Sequence, residues 1–295
     1  MLGALCIAFS GILYRFAAVS PETGVVFRAL YGLPILVAVA VLERRRYGAM
    51  PAATARLAIL AGVFFAADLL SWHHAIAYVG AGLATVLGNL QVIVVGVAAW
   101  LLFGERPSRS VAVALPIVLL GVVLISGVID SSAYGVDPLL GVGLGILTAF
   151  AYAGYLLTIR RGGGRDPRRS AGPVALATAS TALCGLAVGA ISGTVDLVPH
   201  LPEHAWLVLY GVTSQSAGYL LISISLPRLP AVLTSIILLA QPVTTVFLSI
   251  LLLQEAPSIG QLAGVALVVG GIAVATVPVD RVRDLLRIPV TERPG

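Results

Sequence analysis

The sequence predicts an all-α integral membrane protein of ten transmembrane helices, arranged as two inverted five-helix repeats. Three observations carry that prediction. Of 295 residues, 59% are hydrophobic and 11% charged, with mean hydropathy +1.02, far too apolar for a water-facing surface. Apolar runs recur at the length that crosses roughly 30 Å of hydrocarbon. The chain also repeats itself at a fixed offset, and its arginines are distributed unevenly between the connections.

The runs fall at 2–18, 24–42, 57–77, 81–103, 110–128, 139–159, 172–192, 205–225, 230–253 and 259–278. The first lacks a basic segment before it and a small-x-small cleavage site after it, so it is read as a helix of the bundle and not as a leader. The third contains Asp68. Trp100 near the end of the fourth and Trp206 at the start of the eighth suit interfacial belts. Between the sixth and seventh lies Arg160–Ser170 (RRGGGRDPRRS), a flexible connection; no strand precedes its glycines and no Lys-Ser/Thr follows them, which argues against a phosphate loop. Within the ninth, Pro242 deprives the Leu238 carbonyl of its helical partner. Gly141-xxx-Gly145 and Gly185-xxx-Gly189 are small-residue spacings that let helices approach closely within the chain or in a homodimer.

Orientation follows from charge. With the N-terminus inside, the inner connections hold 16 of 18 arginines, and Arg15 and Arg28 lie just inside helix ends. The outer connections carry Glu22, Asp130, Asp137, Asp196, Glu203 and Glu255 without arginine, so both termini are expected on the cytoplasmic side of the cell membrane. The net charge of +5 is therefore a topology signal: no basic face interleaved with aromatics suits nucleic acid.

Shifting the chain by 150 residues lays Ala81, Gln91, Leu101, Leu102, Glu105, Pro107, Ser108 and Gly121 on Ala231, Gln241, Leu251, Leu252, Glu255, Pro257, Ser258 and Gly271. An offset of 141 lays Ala8, Phe9 and Tyr14 on Ala149, Phe150 and Tyr155. The division expected is a first repeat over 1–128, a second over 139–278 and a cytoplasmic tail over 279–295. Five spans per repeat is an odd number, so Glu105 and Glu255 end their helices at opposite surfaces and the repeats are inverted. Such halves, with a site between them near the midplane, are an architecture of secondary transporters.

The stretch Tyr78–Glu105 with Arg106-Pro107-Ser108, its counterpart Pro230–Glu255 with Ala256-Pro257-Ser258, and Phe27-Arg28-Ala29-Leu30 together resemble the EamA-type transporters of the drug/metabolite transporter superfamily. Gln241-Pro242 keeps a pattern of that family, while Gln91 is followed by Val92 where proline is common. The resemblance covers nearly the whole chain. It implies a permease of small organic metabolites or drugs, amino-acid-like or similar, working as an exporter or exchanger.

Candidate residues come from polarity within the spans. An ionised Asp68 midway along its helix costs about 2.5–3.5 kcal/mol on insertion scales. Two readings stand: a proton or substrate-cation site, with Ser71 and Trp72 on the same face, or a structural ion pair with Arg28 or Arg15. Arg28 suits a substrate carboxylate or a snorkelling helix end. Asn89 and Gln91 point to opposite faces, so one of them, with Gln241 of the other repeat, lines a shared cavity. Gln215 and Tyr219 share a face at i, i+4; Tyr14, Tyr152 and Tyr155 offer rings to an organic substrate, against ordinary interhelical bonding. His73 and His74, about 100° apart, do not chelate a metal from one helix; packing is expected of them, or proton relay to Asp68 for one. Glu105 and Glu255 are read as anchors at the two surfaces or partners for nearby inner or outer groups, with a gate as the lesser reading. Cys6 and Cys184 lie far apart in apolar runs and form no framework.

No lysine occurs, which excludes a Walker A lysine, a Schiff base and a lysine nucleophile. No cofactor or metal is expected. The partners expected are a small-molecule substrate, membrane lipid and a coupling proton. A membrane-embedded enzyme, which would call for clustered acids, histidines or a nucleophile–base pair, and a non-transporting scaffold are the alternatives.

Overall fold

A computed structural model describes residues 2–103, 109–130, 132–163, 169–198, 200–221 and 231–276. Glu105, residues 164–168 of the arginine-rich connection, Arg228 and the tail over 279–295 lie outside the described residues, as does the side chain of Trp100. Every regular element among the described residues is helical: α1 (Leu2–Ala8), α2 (Ser10–Ala17), α3 (Pro21–Tyr47), α4 (Ala52–Gly88), α5 (Gln91–Phe103), α6 (Arg109–Ile125), α7 (Pro138–Gly163), α8 (Ala171–Ser192), α9 (Glu203–Tyr210) running into a π-helical segment (Gly211–Gly218), α10 (Ala231–Leu253) and α11 (Ile259–Thr276).

Four stretches, Pro21–Tyr47, Ala52–Val95, Pro138–Gly162 and Ala171–Ser192, are long and apolar enough to cross a membrane, and Leu5–Ala17, Ser110–Ile125, Gln241–Leu253 and Ile259–Ala275 are shorter apolar helices. Large apolar side chains such as Leu42, Leu119, Leu183 and Phe247 face outward. A water-soluble protein does not expose that much apolar surface; acyl chains cover it instead.

Several expected spans are interrupted. The first is split at Phe9 and ends at Ala18, whose φ is 51°. The third and fourth are continuous in α4, and the connection expected between them at 78–80 is a change of direction at Gly80, where φ is 86° and ψ 165°, a backbone that favours glycine. The fourth is broken again between α4 and α5 at Asn89–Leu90. The eighth becomes π-helical. α3, in contrast, starts where local chemistry directs: Ser20 accepts the Thr23 amide at 3.2 Å, Pro21 opens the first turn and Glu22 faces the helix dipole.

The break at Gly80 frees two amides and a carbonyl of the helical ladder, and long-range partners take them up. The Glu255 carboxylate, beyond the end of α10, accepts the amides of Ala81 at 2.6 Å and Gly82 at 3.2 Å. The Val136 amide donates to the Tyr78 carbonyl at 2.9 Å. Glu255 is thus a buried cap on the second segment of α4, 2% exposed: of the two readings, a partner for nearby groups describes it and a surface anchor does not.

α4 packs mainly on α7 and α8, α3 on α8, and α6 on α11. Gly141 and Gly145 sit against Val79 and Leu87 of α4, and Gly185 against Val25 of α3, so these small residues serve packing inside the chain. The α6–α11 crossing is tighter: a Cβ on Gly121 would lie 2.7 Å from the Gly264 carbonyl, and one on Gly264 would lie 2.6 Å from that of Gly121. Gly121→Leu is therefore expected to part the two helices, at a cost of about 3 kcal/mol or more, and to reduce the yield of monodisperse protein in gel filtration several-fold.

Candidate substrate site

A cavity of about 70 Å³ opens at the centre of the bundle, where the helix interruptions converge. Its walls are Ile7 and Ser10 beside the α1–α2 break; Arg28 of α3; Asp68, Leu69, Trp72, Thr85, Gly88 and Asn89 of α4 and its end; Thr148 and Tyr152 of α7; Tyr219 after the π segment; and Gln241 of α10. Seven of the residues expected at the site, Arg28, Asp68, Trp72, Asn89, Tyr152, Tyr219 and Gln241, do line it.

Tyr14, Gln91, Tyr155 and Gln215 do not. Tyr14 stacks on His73 with ring centroids 3.9 Å apart, and its hydroxyl donates to the Val19 carbonyl. The choice between Asn89 and Gln91 falls on Asn89, whose amide nitrogen donates to the Thr85 carbonyl at 2.8 Å; Gln91 begins α5 beyond the break and is turned away. Gln215 is drawn into positioning Arg28: its Oε1 accepts from Arg28 Nε at 2.9 Å, and its Nε2 donates to Thr178 at 2.9 Å. Gln215 reaches Arg28 because glycines face each other where the π segment crosses α3. A Cβ on Gly32 would fall 2.7 Å from Gln215, and one on Gly211 would fall 2.8 Å from the Arg28 carbonyl.

Arg28 is buried, not snorkelling. Besides Gln215 it donates through Nη1 to the Tyr210 hydroxyl at 2.7 Å, and its guanidinium lies over the Tyr210 ring, 4.8 Å from the centroid. Tyr210 is in turn 2.9 Å from His73 Nε2, while His73 Nδ1 is 3.2 Å from the Pro21 carbonyl. A carbonyl only accepts, so in neutral His73 the proton sits on Nδ1, Nε2 accepts from Tyr210, and the Tyr210 oxygen is left to accept from Arg28. This buried chain engages both ring nitrogens of His73, which is fully enclosed at 0% exposure and also stacks on Tyr14. Tyr210 and Thr178 escaped the sequence reading.

Three polar groups on the cavity wall are left unsatisfied. Asp68 makes no hydrogen bond and no ion pair within 4.0 Å among the described residues, so no direct contact joins it to Arg28 or Arg15, although the Arg28 charge is near enough to act on it. Arg28 Nη2 has no acceptor among them. Thr148 Oγ1 is buried without a partner. Buried polar groups are normally paired, and a lone buried charge is costly. A cation and an anion held apart on one wall, with Trp72, Tyr152 and Tyr219 around them, form a surface complementary to a ligand carrying both charges.

The profile of the EamA-like transporter family matches residues 1–127 and 139–277. The chain belongs to that family. It is a family of transporters, and with the apolar helices it makes this chain a multi-pass membrane protein of the drug/metabolite transporter kind. Curated proteins give no match. Among solved structures, one titled "Crystal structure of protein" superposes with TM-score 0.66 at 19% identity, over 95% of this chain and 96% of its own. That similarity shows a shared fold. The cavity draws on both matched segments: Arg28, Asp68, Trp72 and Asn89 from the first, Thr148, Tyr152, Tyr219 and Gln241 from the second.

Proposed function

We propose that this EamA-like protein is a secondary transporter of the cytoplasmic membrane that exports or exchanges a small zwitterionic, amino-acid-like molecule by alternating access. The observation that carries the reading is the cavity shared by both matched segments, with the Asp68 carboxylate and the Arg28 guanidinium on its wall and unpaired with one another. Arg28 receives the substrate carboxylate through its remaining N–H groups. Asp68, beside the Trp72 ring, receives the ammonium or, in its absence, a proton, which couples flux to a pH gradient.

In this reading ten spans form two inverted five-span halves, divided near residues 128–139, with both termini cytoplasmic. The helix pairing supports it. α2 packs on α9 as α4 packs on α7, α4 also meets α10, and α3–α8 and α6–α11 pair across the division, as a two-fold relation between halves requires. A cavity of about 70 Å³ has room for roughly two or three waters. Its walls must therefore part to admit an amino acid, and rocking of one half against the other does this.

Proteoliposomes containing the purified chain, offered a panel of labelled amino acids, amines, carboxylates and uncharged drugs with and without a pH gradient, test the reading. Saturable uptake of one or more zwitterions, stimulated by the gradient, is expected. Flux of uncharged drugs alone would overturn the substrate class, and flux of nothing in so broad a panel would overturn transport.

A further inference from the structure

We propose that the groove between α3 and α8 is a binding site for an anionic phospholipid, separate from the central cavity and independent of the transport reading. The groove has a volume of about 440 Å³. Its wall is apolar along its length, formed by Leu33, Val37 and Ala40 on α3 and by Leu176 and Ala179 on α8. It ends at Arg44. From Leu33 to Arg44 the helix rises roughly 16 Å, about the depth of one leaflet. An acyl chain laid along this wall brings its headgroup to the rim.

The rim is basic. Arg44 is exposed there, followed by exposed Arg45 and Arg46, with exposed Arg56 on the next helix. The one carboxylate at the rim is already engaged: Glu43 accepts the amides of Ser170, Ala171 and Gly172 at 3.0, 2.9 and 2.9 Å, capping α8. That contact fastens the two groove walls to each other. It also occupies the N-terminus of α8, so attraction for an anion comes from the arginines. Arg169 donates to the Tyr47 and Gly48 carbonyls and holds the turn that closes the groove. An apolar slot of leaflet depth ending at the Arg44 guanidinium, with exposed Arg45 and Arg46 next to it in the chain, is complementary to an acyl chain with an anionic head, and basic pockets between helices at a membrane surface take such lipids. A soluble anion would leave the slot unused.

The test uses the full chain, delipidated in detergent, with native mass spectrometry and thermal unfolding against phosphatidylglycerol, phosphatidylcholine with the same acyl chains, and glycerol phosphate. Retention of phosphatidylglycerol in preference to phosphatidylcholine is expected, with a higher unfolding midpoint, and no shift from glycerol phosphate. R44Q/R45Q, which alters exposed side chains only, should weaken phosphatidylglycerol binding roughly thirtyfold. Ala40→Phe should obstruct the slot and lower the affinity for both lipids. Equal responses to the two lipids, an unchanged phosphatidylglycerol response in R44Q/R45Q, or the same shift from glycerol phosphate would each overturn the proposal. So would a dimer that forms through this face and excludes lipid. Should Ala40→Phe not fold, the arginine variant and the headgroup comparison decide alone.

Discussion

Asp68→Asn is expected to lower transport of a zwitterionic substrate by about 30-fold or more while leaving the protein folded. Truncating one partner of a buried charge contact costs about 2–5 kcal/mol, which sets the lower bound. The fold should tolerate the change because the Asp68 carboxylate makes no hydrogen bond or ion pair within the described chain. The asparagine is nearly isosteric and removes a charge whose burial is expensive. The unfolding midpoint should therefore stay within a few degrees of the parent protein, and stimulation by a pH gradient should disappear. A destabilised, aggregating variant would show instead that Asp68 serves the structure.

Glu255→Ala is expected to have the opposite profile, a large loss of stability from a residue that lines no part of the cavity. The substitution leaves the amides of Ala81 and Gly82 buried without an acceptor at a break that Gly80 has already opened. Each orphaned donor costs about 1–3 kcal/mol, so the unfolding midpoint should fall on the order of 10 °C. Glu255→Gln keeps one acceptor and sets its amide group against the second N–H, so it should fall between. Thermal unfolding of the three proteins in one detergent measures the series. Equal midpoints for the parent and Glu255→Ala would mean that the cap contributes nothing.

The contrast between these two acids marks how far the sequence can be read. Asp68 stands out because a carboxylate within a long apolar run violates local composition, and nothing beyond that run is needed to see it. Trp72, Asn89, Tyr152, Tyr219 and Gln241 follow by the same logic. Glu255 sits at a helix end, where an acid is ordinary, and its partner lies 174 residues away; hydropathy carries no trace of such a contact. The break at Gly80 was legible, since one apolar run ends at 77 and the next begins at 81, but the carboxylate that caps it was not. Polarity alone does not say which residues face the cavity: Tyr14 and Gln215 are polar within spans, as expected of a site, yet each is engaged by a neighbour. His73 stacks on the first, Arg28 binds the second, and both contacts depend on how α2, α3 and the π segment cross. The Tyr210–His73 chain was hidden for the same reason, because it links residues 137 apart. Helix interruptions at Phe9, Asn89 and the π segment were equally invisible to a hydropathy window, which averages over them, although they are what bring polar groups to the cavity.

The charge pair at the centre of the account is tested most directly by counterflow in proteoliposomes with three ligands of one carbon skeleton: an amino acid, its deaminated acid and its decarboxylated amine. With the parent protein the amino acid should exchange and the other two should not. Arg28→Gln should lose the amino acid without gaining the acid, and Asp68→Asn should lose it without gaining the amine. Equal exchange of all three ligands by the parent protein, or undiminished amino-acid exchange in both variants, would contradict recognition by Arg28 and Asp68.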